Sequence, residues 1–369
     1  MNNKLVLMLT VVILPFALVA TARSQNTFTC GTEQAMAKMP REFKDAAEAS
    51  ATAFRANELM LYINFNPNGS VVQPGFGNAD TLRSSIVTGT RFCPPPSLTQ
   101  AQKDEIVRLV SDDFSPFNIR VTSDPAEFAV YPRPFREMCL ITTVPSTIGQ
   151  PSGVAGVSPF IGIGLRLPND FAFAFSGLVG NDPGDVAAVV SQESAHLLGL
   201  GHQHLFGDSC GFLAEYHPGF GSGPLAFSPL MGEAFTSGIN NWFAQSCGQN
   251  DYDLINSQVD IRVDDFVDTA GKSGASGGEL TGVLESAGDV DFIRINFKKP
   301  GPVTVSSDNI DLKVTLLNPG GHVIEEFNDP DSRDVTIPSA NGMRYLKIEA
   351  ASNVNMSAQF MTGTYRVSF

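Results

Sequence analysis

The sequence of 369 residues predicts an α+β protein, in which a domain of mixed helices and strands is followed by an all-β sandwich. Helix-like and strand-like hydrophobic spacings alternate along residues 58–258, whereas only short alternating segments recur along residues 262–369. Hydrophobic residues make up 43% of the chain, which is enough to build two cores. We therefore place a domain boundary between these two ranges.

The N-terminus has the three parts of a secretory signal peptide. A positive charge precedes an apolar run from Leu5 to Ala20, and the small residues Ala20-Thr21-Ala22 then provide a cleavage site. We predict that residues 1–22 are the signal peptide, with cleavage after Ser24 as the alternative. A membrane anchor is disfavoured because the run contains Pro15 and is shorter than the roughly 20 residues that span a bilayer. The mature protein is expected to be extracellular or periplasmic.

Composition and charge exclude several classes of partner. The chain has 38 acidic and 24 basic residues, so its formal net charge is −14. A protein without a basic cluster lacks the main driving force for binding nucleic-acid phosphates. The same charge disfavours an anionic membrane surface, and we expect neither nucleic acid nor membrane as a partner.

Five cysteines are plausible disulfide partners in an exported protein. Five choices of the unpaired cysteine, each with three connectivities for the other four, give fifteen two-bridge patterns, and the sequence does not select among them. We prefer Cys210 with Cys247 and Cys93 with Cys139, which leaves Cys30 unpaired.

The first domain is preceded by residues 23–57, an Ala-rich helical segment that is a candidate pro-segment. Strands are predicted at Leu61–Phe65, Ile119–Val121, Leu140–Val144, Val154–Val157 and Phe171–Phe175. One helix is predicted to begin after Thr99, where Gln102 completes a capping box. A second helix is predicted to begin after Asp182, with Pro183 at its first position.

The second domain is predicted from short alternating strands that are separated by turn residues. These strands are Leu280–Leu284, Phe292–Phe297, Val303–Ser306, Leu312–Leu317, Val335–Pro338, Tyr345–Ala350 and Tyr365–Phe369. The turn between the fifth and sixth is predicted at Asn341-Gly342. Seven or eight strands in this length indicate a small β-sandwich.

One stretch of the second helix has the spacing of a metal site. Gln192 and His196 lie four residues apart, on the same helical face, so both side chains can reach one zinc ion. Glu193 is offset by one position, where it can contact a metal-bound water. Gly199 can end the helix in a left-handed conformation, which lets His202 return as a third ligand.

This stretch resembles the signature of the metzincin zinc proteases, His-Glu-x-x-His-x-x-Gly-x-x-His. Downstream, Ser228–Gly232 resembles the Met-turn that underlies the metal in that clan, with Met231 as its methionine. Further similarity to a group of secreted bacterial metzincins, including Asp112–Asn118 and Gly153–Val157, extends over roughly residues 58–258. The resemblance implies an α/β metzincin-like catalytic domain with a mixed sheet and an active-site helix.

The activity that this resemblance implies is that of a metalloendopeptidase, a zinc hydrolase of protein or peptide substrates. Glu193 would act as the general base, and His196 and His202 would bind Zn²⁺. An extended substrate would pair by edge addition with the strand at Phe171–Phe175.

The chain departs from the signature at Gln192, where the family has its first histidine ligand. An amide oxygen is a weaker zinc ligand than an imidazole nitrogen. Gln192 could still bind through its oxygen, or another group such as His204 or Asp208 could replace it. The third alternative is a site without metal, which would make the chain a catalytically inactive exported binding protein.

Cys30 is also similar to the cysteines that block zinc from a pro-segment, although a leftover thiol or an intermolecular bridge is the favoured interpretation. The C-terminal strands resemble the bacterial pre-peptidase C-terminal domain, notably at Gly288–Phe292 and Gly363–Val367. This second resemblance implies an accessory sandwich that binds extracellular protein or polysaccharide. Four acidic residues there are candidate Ca²⁺ ligands, although solvated turn residues are the favoured interpretation. They are Asp264, Asp265, Asp289 and Asp291.

Overall fold

The computed structural model describes residues 29–37, 41, 55–160, 162–235, 238–268, 274–275, 278–352 and 361–369. The predicted signal peptide, residues 1–22, lies outside the described residues, as does most of the predicted helical segment 23–57. None of the helices in the described ranges is long and apolar enough to cross a membrane.

A six-stranded sheet forms the centre of the first part of the chain. Its strands are β1 (Thr29–Cys30), β2 (Leu59–Asn64), β6 (Ile119–Thr122), β7 (Arg136–Thr142), β8 (Val154–Val157) and β9 (Phe171–Phe175). They lie in the order β1-β8-β9-β7-β2-β6. The pairs are parallel except for β8 with β9, which is antiparallel, so the sheet is mixed.

The predicted substrate edge at Phe171–Phe175 is wrong, because β9 is an interior strand. It pairs with β7 on one side and β8 on the other, and all five of its residues are buried. Phenylalanine and alanine alternate along it, so both faces are apolar, as expected of a strand covered on both sides. The edge beyond β9 is β8, and β1 lies against it.

Five α-helices accompany the sheet within the described residues. They are α1 (Thr32–Ala37), α2 (Gln100–Asp113), α3 (Pro125–Val130), α4 (Pro183–Leu197) and α5 (Asp251–Gln258). Helix α2 begins with the predicted capping box of Thr99 and Gln102. Helix α4 begins at Asp182, whose side chain accepts from two backbone N–H groups. Every residue from Val186 to Leu197 is buried, because α4 packs between α2 and the sheet.

Seven shorter strands complete this part of the chain. They are β3 (Ser70–Pro74), β4 (Arg83–Ser84), β5 (Arg91–Cys93), β10 (Leu205–Phe206), β11 (Phe212–Ala214), β12 (Phe227–Pro229) and β13 (Ile239–Asn241). Strands β3, β4 and β5 form a small sheet in the order β4-β3-β5, and β10 pairs with β11 and β12 with β13.

The cysteines pair differently from the expected pattern. The predicted bridge between Cys210 and Cys247 is present. The predicted bridge between Cys93 and Cys139 is wrong, because both are buried free thiols. Cys139 belongs to the core that includes α4, whereas Cys93 belongs to the core on the opposite face of the sheet. A layer of backbone therefore separates the two thiols.

The last third of the chain, residues 274–369, is an all-β unit that we call the sandwich unit after its predicted fold; its described strands form one curled sheet around one core rather than two separate sheets. Its strands are β14 (Gly274–Ala275), β15 (Glu279–Leu284), β16 (Val290–Ser306), β17 (Leu312–Leu317), β18 (Val323–Phe327), β19 (Val335–Ala350) and β20 (Gly363–Ser368). They lie in the order β15-β20-β16-β19-β17-β18, and β14 pairs with β16. With the helices and the mixed sheet before it, this unit makes the chain an α+β protein, as predicted.

Two predicted turns in this unit lie inside long strands. The segments predicted as separate strands around residues 292–297 and 303–306 are continuous in β16, and Asn341-Gly342 lies within β19. The pairing of β16 with β19 shifts register between Phe297 and Val303, and Gly342, at φ +67°, lies opposite Phe297. A glycine with positive φ suits a bulge as well as a turn, so the local sequence does not distinguish them.

Polar contacts join the sandwich unit to helix α2. The guanidinium of Arg366 donates to both carboxylate oxygens of Asp112, at 2.9 and 2.7 Å, and Asn309 donates to the Asp112 carbonyl at 3.0 Å. Phe227 and Phe243 of the first part also pack into the core of the sandwich. The two units therefore share buried surface.

We expect Arg366→Ala to lower the free energy of unfolding by about 1–3 kcal/mol, because it leaves the buried Asp112 carboxylate with fewer donors. Urea-induced unfolding measures the change. Arg294→Ala, at an exposed strand position, is the matched control and should stay within about 0.5 kcal/mol of the parent. Equal effects of the two substitutions would contradict a specific role for this contact.

Candidate metal centre

The buried end of helix α4 carries Glu193 and His196. Gly199, at φ +84°, lies where the chain turns away from the helix, and an added Cβ would lie only 2.4 Å from the backbone nitrogen of Leu165. Only glycine fits this turn, which returns the chain so that the rings of His196 and His202 lie 4.9 Å apart between centroids. The turn thus brings His196 and His202 together, as the sequence predicts.

The two nitrogens of His196 face different neighbours. Nδ1 lies 2.7 Å from the carbonyl oxygen of Leu200, so Nδ1 carries the proton and donates, which leaves the lone pair on Nε2. Burial, and then the charge of His202, lower the pKa of His196 to about 3. The imidazole is therefore neutral at physiological pH, which is the form that binds a metal.

A third metal-ligating atom at this point is the thiol of Cys30, at the end of β1. Its Sγ lies 3.5 Å from Nε2 of His196 and 3.5 Å from Oε2 of Glu193. The ligating atoms of Cys30, His196 and His202 all lie within 4.8 Å of one another. Burial, and then the charge of Glu193, raise the pKa of the thiol well above its ordinary value. One sulfur and two imidazole nitrogens form a donor set that suits zinc.

Gln192 makes a different contact. Its side-chain amide donates to the carbonyl oxygen of Gly232 at 3.2 Å. His204 is outside the group of converging donors, since its Nδ1 lies 2.7 Å from the carbonyl oxygen of Glu215, and Asp208 is exposed. Neither of the two suggested replacements for Gln192 lies at the centre.

Sequence reasoning undervalued Cys30, whose favoured interpretations as a leftover thiol or an intermolecular bridge do not fit a buried thiol beside His196. More than 160 residues separate them in sequence, and the pairing of β1 with β8 closes that distance. The one sequence signal for a place of Cys30 at this centre was its resemblance to the cysteines that block zinc from a pro-segment.

Glu193 is fully buried beside these donors. Its Oε2 accepts from the hydroxyl of Thr32 at 3.2 Å, and its Oε1 has no hydrogen-bond partner within the described part of the chain. Burial raises the pKa of Glu193, and hydrogen bonds from Cys30 and Thr32 lower it by less, so that the pKa is about 8. A buried carboxylate with a free oxygen is well placed to hold a proton or to face a cation.

The backbone of β8 approaches Glu193 closely at Gly156. A Cβ at this position would lie 2.5 Å from Cγ of Glu193 and 2.7 Å from a methyl group of Val189. Glycine thus allows the edge of the sheet to contact the buried face of α4.

A loop closes the other side of the centre. Nδ1 of His202 lies 3.4 Å from a carboxylate oxygen of Glu215, and the His202 ring lies 4.7 Å from the ring of Tyr216. A hydrogen bond from His202 lowers the pKa of Glu215. The Tyr216 hydroxyl accepts from the backbone N–H of Cys30 at 3.1 Å, so this loop also holds β1. Sequence analysis did not identify Glu215 or Tyr216, because neither belongs to a recognisable motif.

The predicted Met-turn packs against this region. Met231 is fully buried, and its carbonyl oxygen accepts from the backbone N–H of Gln203, next to His202, at 2.7 Å. The backbone N–H of Leu230 donates to the carbonyl oxygen of Asn241 at 2.9 Å. This turn therefore fixes the segment that carries His202.

A second group of metal-ligating atoms lies where the sandwich unit begins. Carboxylate oxygens of Asp264, Asp265 and Asp291 lie within 4.8 Å of one another. Asp291 is fully buried, which contradicts its favoured interpretation as a solvated turn residue, and its Oδ2 accepts from the hydroxyl of Tyr365 at 2.6 Å.

The buried carboxylates of this second group are incompletely bonded. Neither oxygen of Glu285, nor Oδ1 of Asp291, has a hydrogen-bond partner among the described residues. Burial and neighbouring carboxylates raise the pKa of Glu285 to about 9. The pKa of Asp291 is also raised, to about 8. Burial and nearby aspartates raise it, whereas the hydrogen bond from Tyr365 lowers it. A cation would relieve this repulsion.

No model of a known protein family matches the chain. No curated protein matches it either. Among solved structures, the chain is similar to the pre-peptidase C-terminal domain of a collagenase from Bacillus anthracis. The match covers 26% of this chain and 89% of that domain, with 17% sequence identity and a TM-score of 0.20. PliG from Aeromonas hydrophila, a periplasmic inhibitor of g-type lysozyme, is similar to 26% of this chain over 93% of its own length, with 15% identity and a TM-score of 0.21. Similarities at this level assign neither a family nor an activity to this chain.

We expect Gly156→Ala to lower the free energy of unfolding by about 1–3 kcal/mol, because the new methyl group overlaps Glu193 and Val189. Gly89→Ala is the matched control, since a Cβ there meets no atom within 4 Å. Thermal unfolding of the two variants measures the difference. A Gly156→Ala protein as stable as the control would show that the edge strand moves freely away from α4.

Proposed function

We propose that this protein is a secreted zinc-dependent endopeptidase whose catalytic centre lies at the end of α4. The observation that supports it is the convergence of one thiol and two imidazoles beside a buried carboxylate. The residues are Cys30, His196, His202 and Glu193. Neutral His196 and the unpartnered oxygen of Glu193 fit a divalent cation.

A zinc ion held by these residues would lower the pKa of a bound water and polarise the scissile carbonyl group. Glu193 would accept the proton of that water and deliver it to the leaving amine. A divalent cation bound beside Glu193 would favour the deprotonated carboxylate that this step requires.

Substrate access is set by β1 and the loop at Tyr216. Strand β1 lies on the edge of β8, the position at which an extended peptide would otherwise add to the sheet. A cavity lined by Cys30, Gln192, Tyr216, Glu233 and Phe235 adjoins the centre. We propose that substrate enters through this cavity.

Glu193→Gln keeps the size of the side chain and removes its basicity, so we expect cleavage of unfolded casein to fall by about 100-fold or more. The exported chain is assayed with zinc, with and without a chelator. Glu325→Gln, at an exposed position of β18, is the control and should cleave at the parental rate. Equal cleavage by the Glu193→Gln protein would contradict the assigned role.

The second candidate function is that of an exported binding protein without catalysis. It is favoured by the Gln192 amide contact with Gly232 and by the coverage of the β8 edge by β1. A folded protein that binds zinc but cleaves no casein, either as the parent or as Gln192→His, would support this alternative.

We also propose that the acidic group at the start of the sandwich binds Ca²⁺. The support for this site is the pair of buried carboxyl groups, Glu285 and Asp291. Both oxygens of Glu285 and Oδ1 of Asp291 lack hydrogen-bond partners among the described residues. Carboxylates from Asp264 and Asp265 adjoin them, and oxygen ligands of this kind suit calcium. Bound calcium would tie the segment before the sandwich to strand β16.

Calcium should raise the stability of the chain by about 2.7 kcal/mol at a free concentration 100-fold above Kd. Calorimetry and thermal unfolding, with and without a calcium chelator, measure the effect. Asp291→Asn should abolish the response, whereas Glu325→Gln should retain it, because Glu325 is exposed on a distant strand. A response that survives in Asp291→Asn would place the calcium elsewhere.

A further inference from the structure

We propose that the thiolate of Cys30, and not Gln192, is the third protein ligand of the metal, which makes this a Cys-His-His centre. The inference rests on the metal centre of the proposed function but not on its peptidase activity. It also means that residues 29–32 belong to the metal site.

The first argument is the direction of each candidate donor. The side-chain N–H of Gln192 donates to the carbonyl oxygen of Gly232, in the turn that contains Met231, so only its neutral amide oxygen remains as a possible ligand. The Sγ atom of Cys30 instead lies 3.5 Å from the lone-pair nitrogen of His196. Zinc binds thiolate and imidazole in preference to a neutral amide oxygen, so position and chemistry select the same residue.

The second argument is that the backbone of β1 is held in place from several elements. The N–H of Thr29 donates to the carbonyl oxygen of Gly153 at 2.9 Å, and the N–H of Gly31 donates to that of Gly156 at 2.9 Å. The N–H of Cys30 between them donates to the hydroxyl of Tyr216 at 3.1 Å. These three bonds fix the thiol before any metal binds, and a preorganised ligand loses little entropy on binding.

Thr32 extends this arrangement by linking β1 to two other elements. Its hydroxyl accepts from the backbone N–H of Ser158 at 3.0 Å and donates to Glu193 at 3.2 Å. Thr32 is 1% exposed and Cys30 is 7% exposed, so the segment is part of the folded core. A segment buried in this way is held against the centre in the folded chain.

The third argument concerns charge. Sγ of Cys30 and Oε2 of Glu193 lie 3.5 Å apart in the protein interior, and the two groups would carry two negative charges once deprotonated. A divalent cation held between Cys30, His196 and His202 balances both. With Gln192 as the third ligand, the buried thiol would have no such function beside the carboxylate.

The inference changes what removal of residues 23–57 would do. If Cys30 only blocked the metal, cleavage of this segment would expose a complete site. Because Cys30 is a ligand, cleavage after Thr32 would instead remove one of three donors and weaken the site.

The test measures metal binding to the full exported chain and to single-residue variants. Zinc affinity is determined by competition with a chelator, and cobalt(II) is used as a spectroscopic probe, since thiolate ligation gives a sulfur-to-cobalt charge-transfer band. We expect that band in the parent protein, its loss in Cys30→Ala, and a fall in zinc affinity of about 100-fold or more. Cys139→Ala, which removes another buried thiol, should keep both the band and the affinity. Gln192→Ala should lower the affinity by less than about threefold.

Several results would overturn the proposal. One is a parent protein that binds cobalt without a thiolate band, a measurement that needs no variant. Another is a Cys30→Ala protein that binds zinc as tightly as the parent and cleaves casein faster, which would make the thiol a removable block. If Cys30→Ala does not fold, Cys30→Ala with Gln192→His supplies an imidazole instead, and the proposal requires this variant to bind cobalt(II) without the thiolate band. A thiolate band in a parent that never cleaves casein would retain this ligand assignment and reject the proposed function.

Discussion

The pairing of β1 with the edge of β8 is the interaction on which the candidate site depends. Two backbone hydrogen bonds, from Thr29 and Gly31 to β8, bring a residue near the start of the described chain against the end of α4. Without them, Cys30 would have no fixed relation to His196. The same pairing covers the sheet edge, so a single strand of two residues decides both whether that edge is exposed and where the thiol lies.

Burial gives this site its chemistry. Helix α4 is enclosed between α2 and the sheet, and Gly156 lets the backbone of β8 approach its face. In this low-dielectric position the imidazole of His196 stays neutral, while the carboxyl of Glu193 and the thiol of Cys30 resist ionisation. A bound cation would reverse the balance for the two acidic groups. The physical basis of the proposed metal is the convergence of the ligand atoms of Cys30, His196 and His202 within 4.8 Å of one another.

The sandwich unit is connected to the same site through packing. The Asn241 side chain donates to the backbone carbonyl oxygens of Asn309 and Thr362 at 2.8 Å. The backbone carbonyl oxygen of Asn241 accepts from the backbone N–H of Leu230, which precedes Met231. The turn at Met231 is thus hydrogen-bonded to two neighbours. One is the segment that carries His202, and the other is β13, whose Asn241 contacts the sandwich unit. Loosening the sandwich is expected to be transmitted to this turn.

The sequence determined the local features whose causes are local. The capping residues at Thr99 and Asp182 define helix starts, and the i, i+4 spacing with Gly199 brings His196 and His202 together. Features that depend on which distant segments pack together were decided only by the tertiary structure. Examples are the opposite placement of Cys93 and Cys139, and the interior position of β9. The arrival of Cys30 at the centre and the turning of Gln192 towards Gly232 belong to the same class. Hydrophobic periodicity records how much of a segment is buried but not what buries it, so only the pairing of distant strands could decide these points.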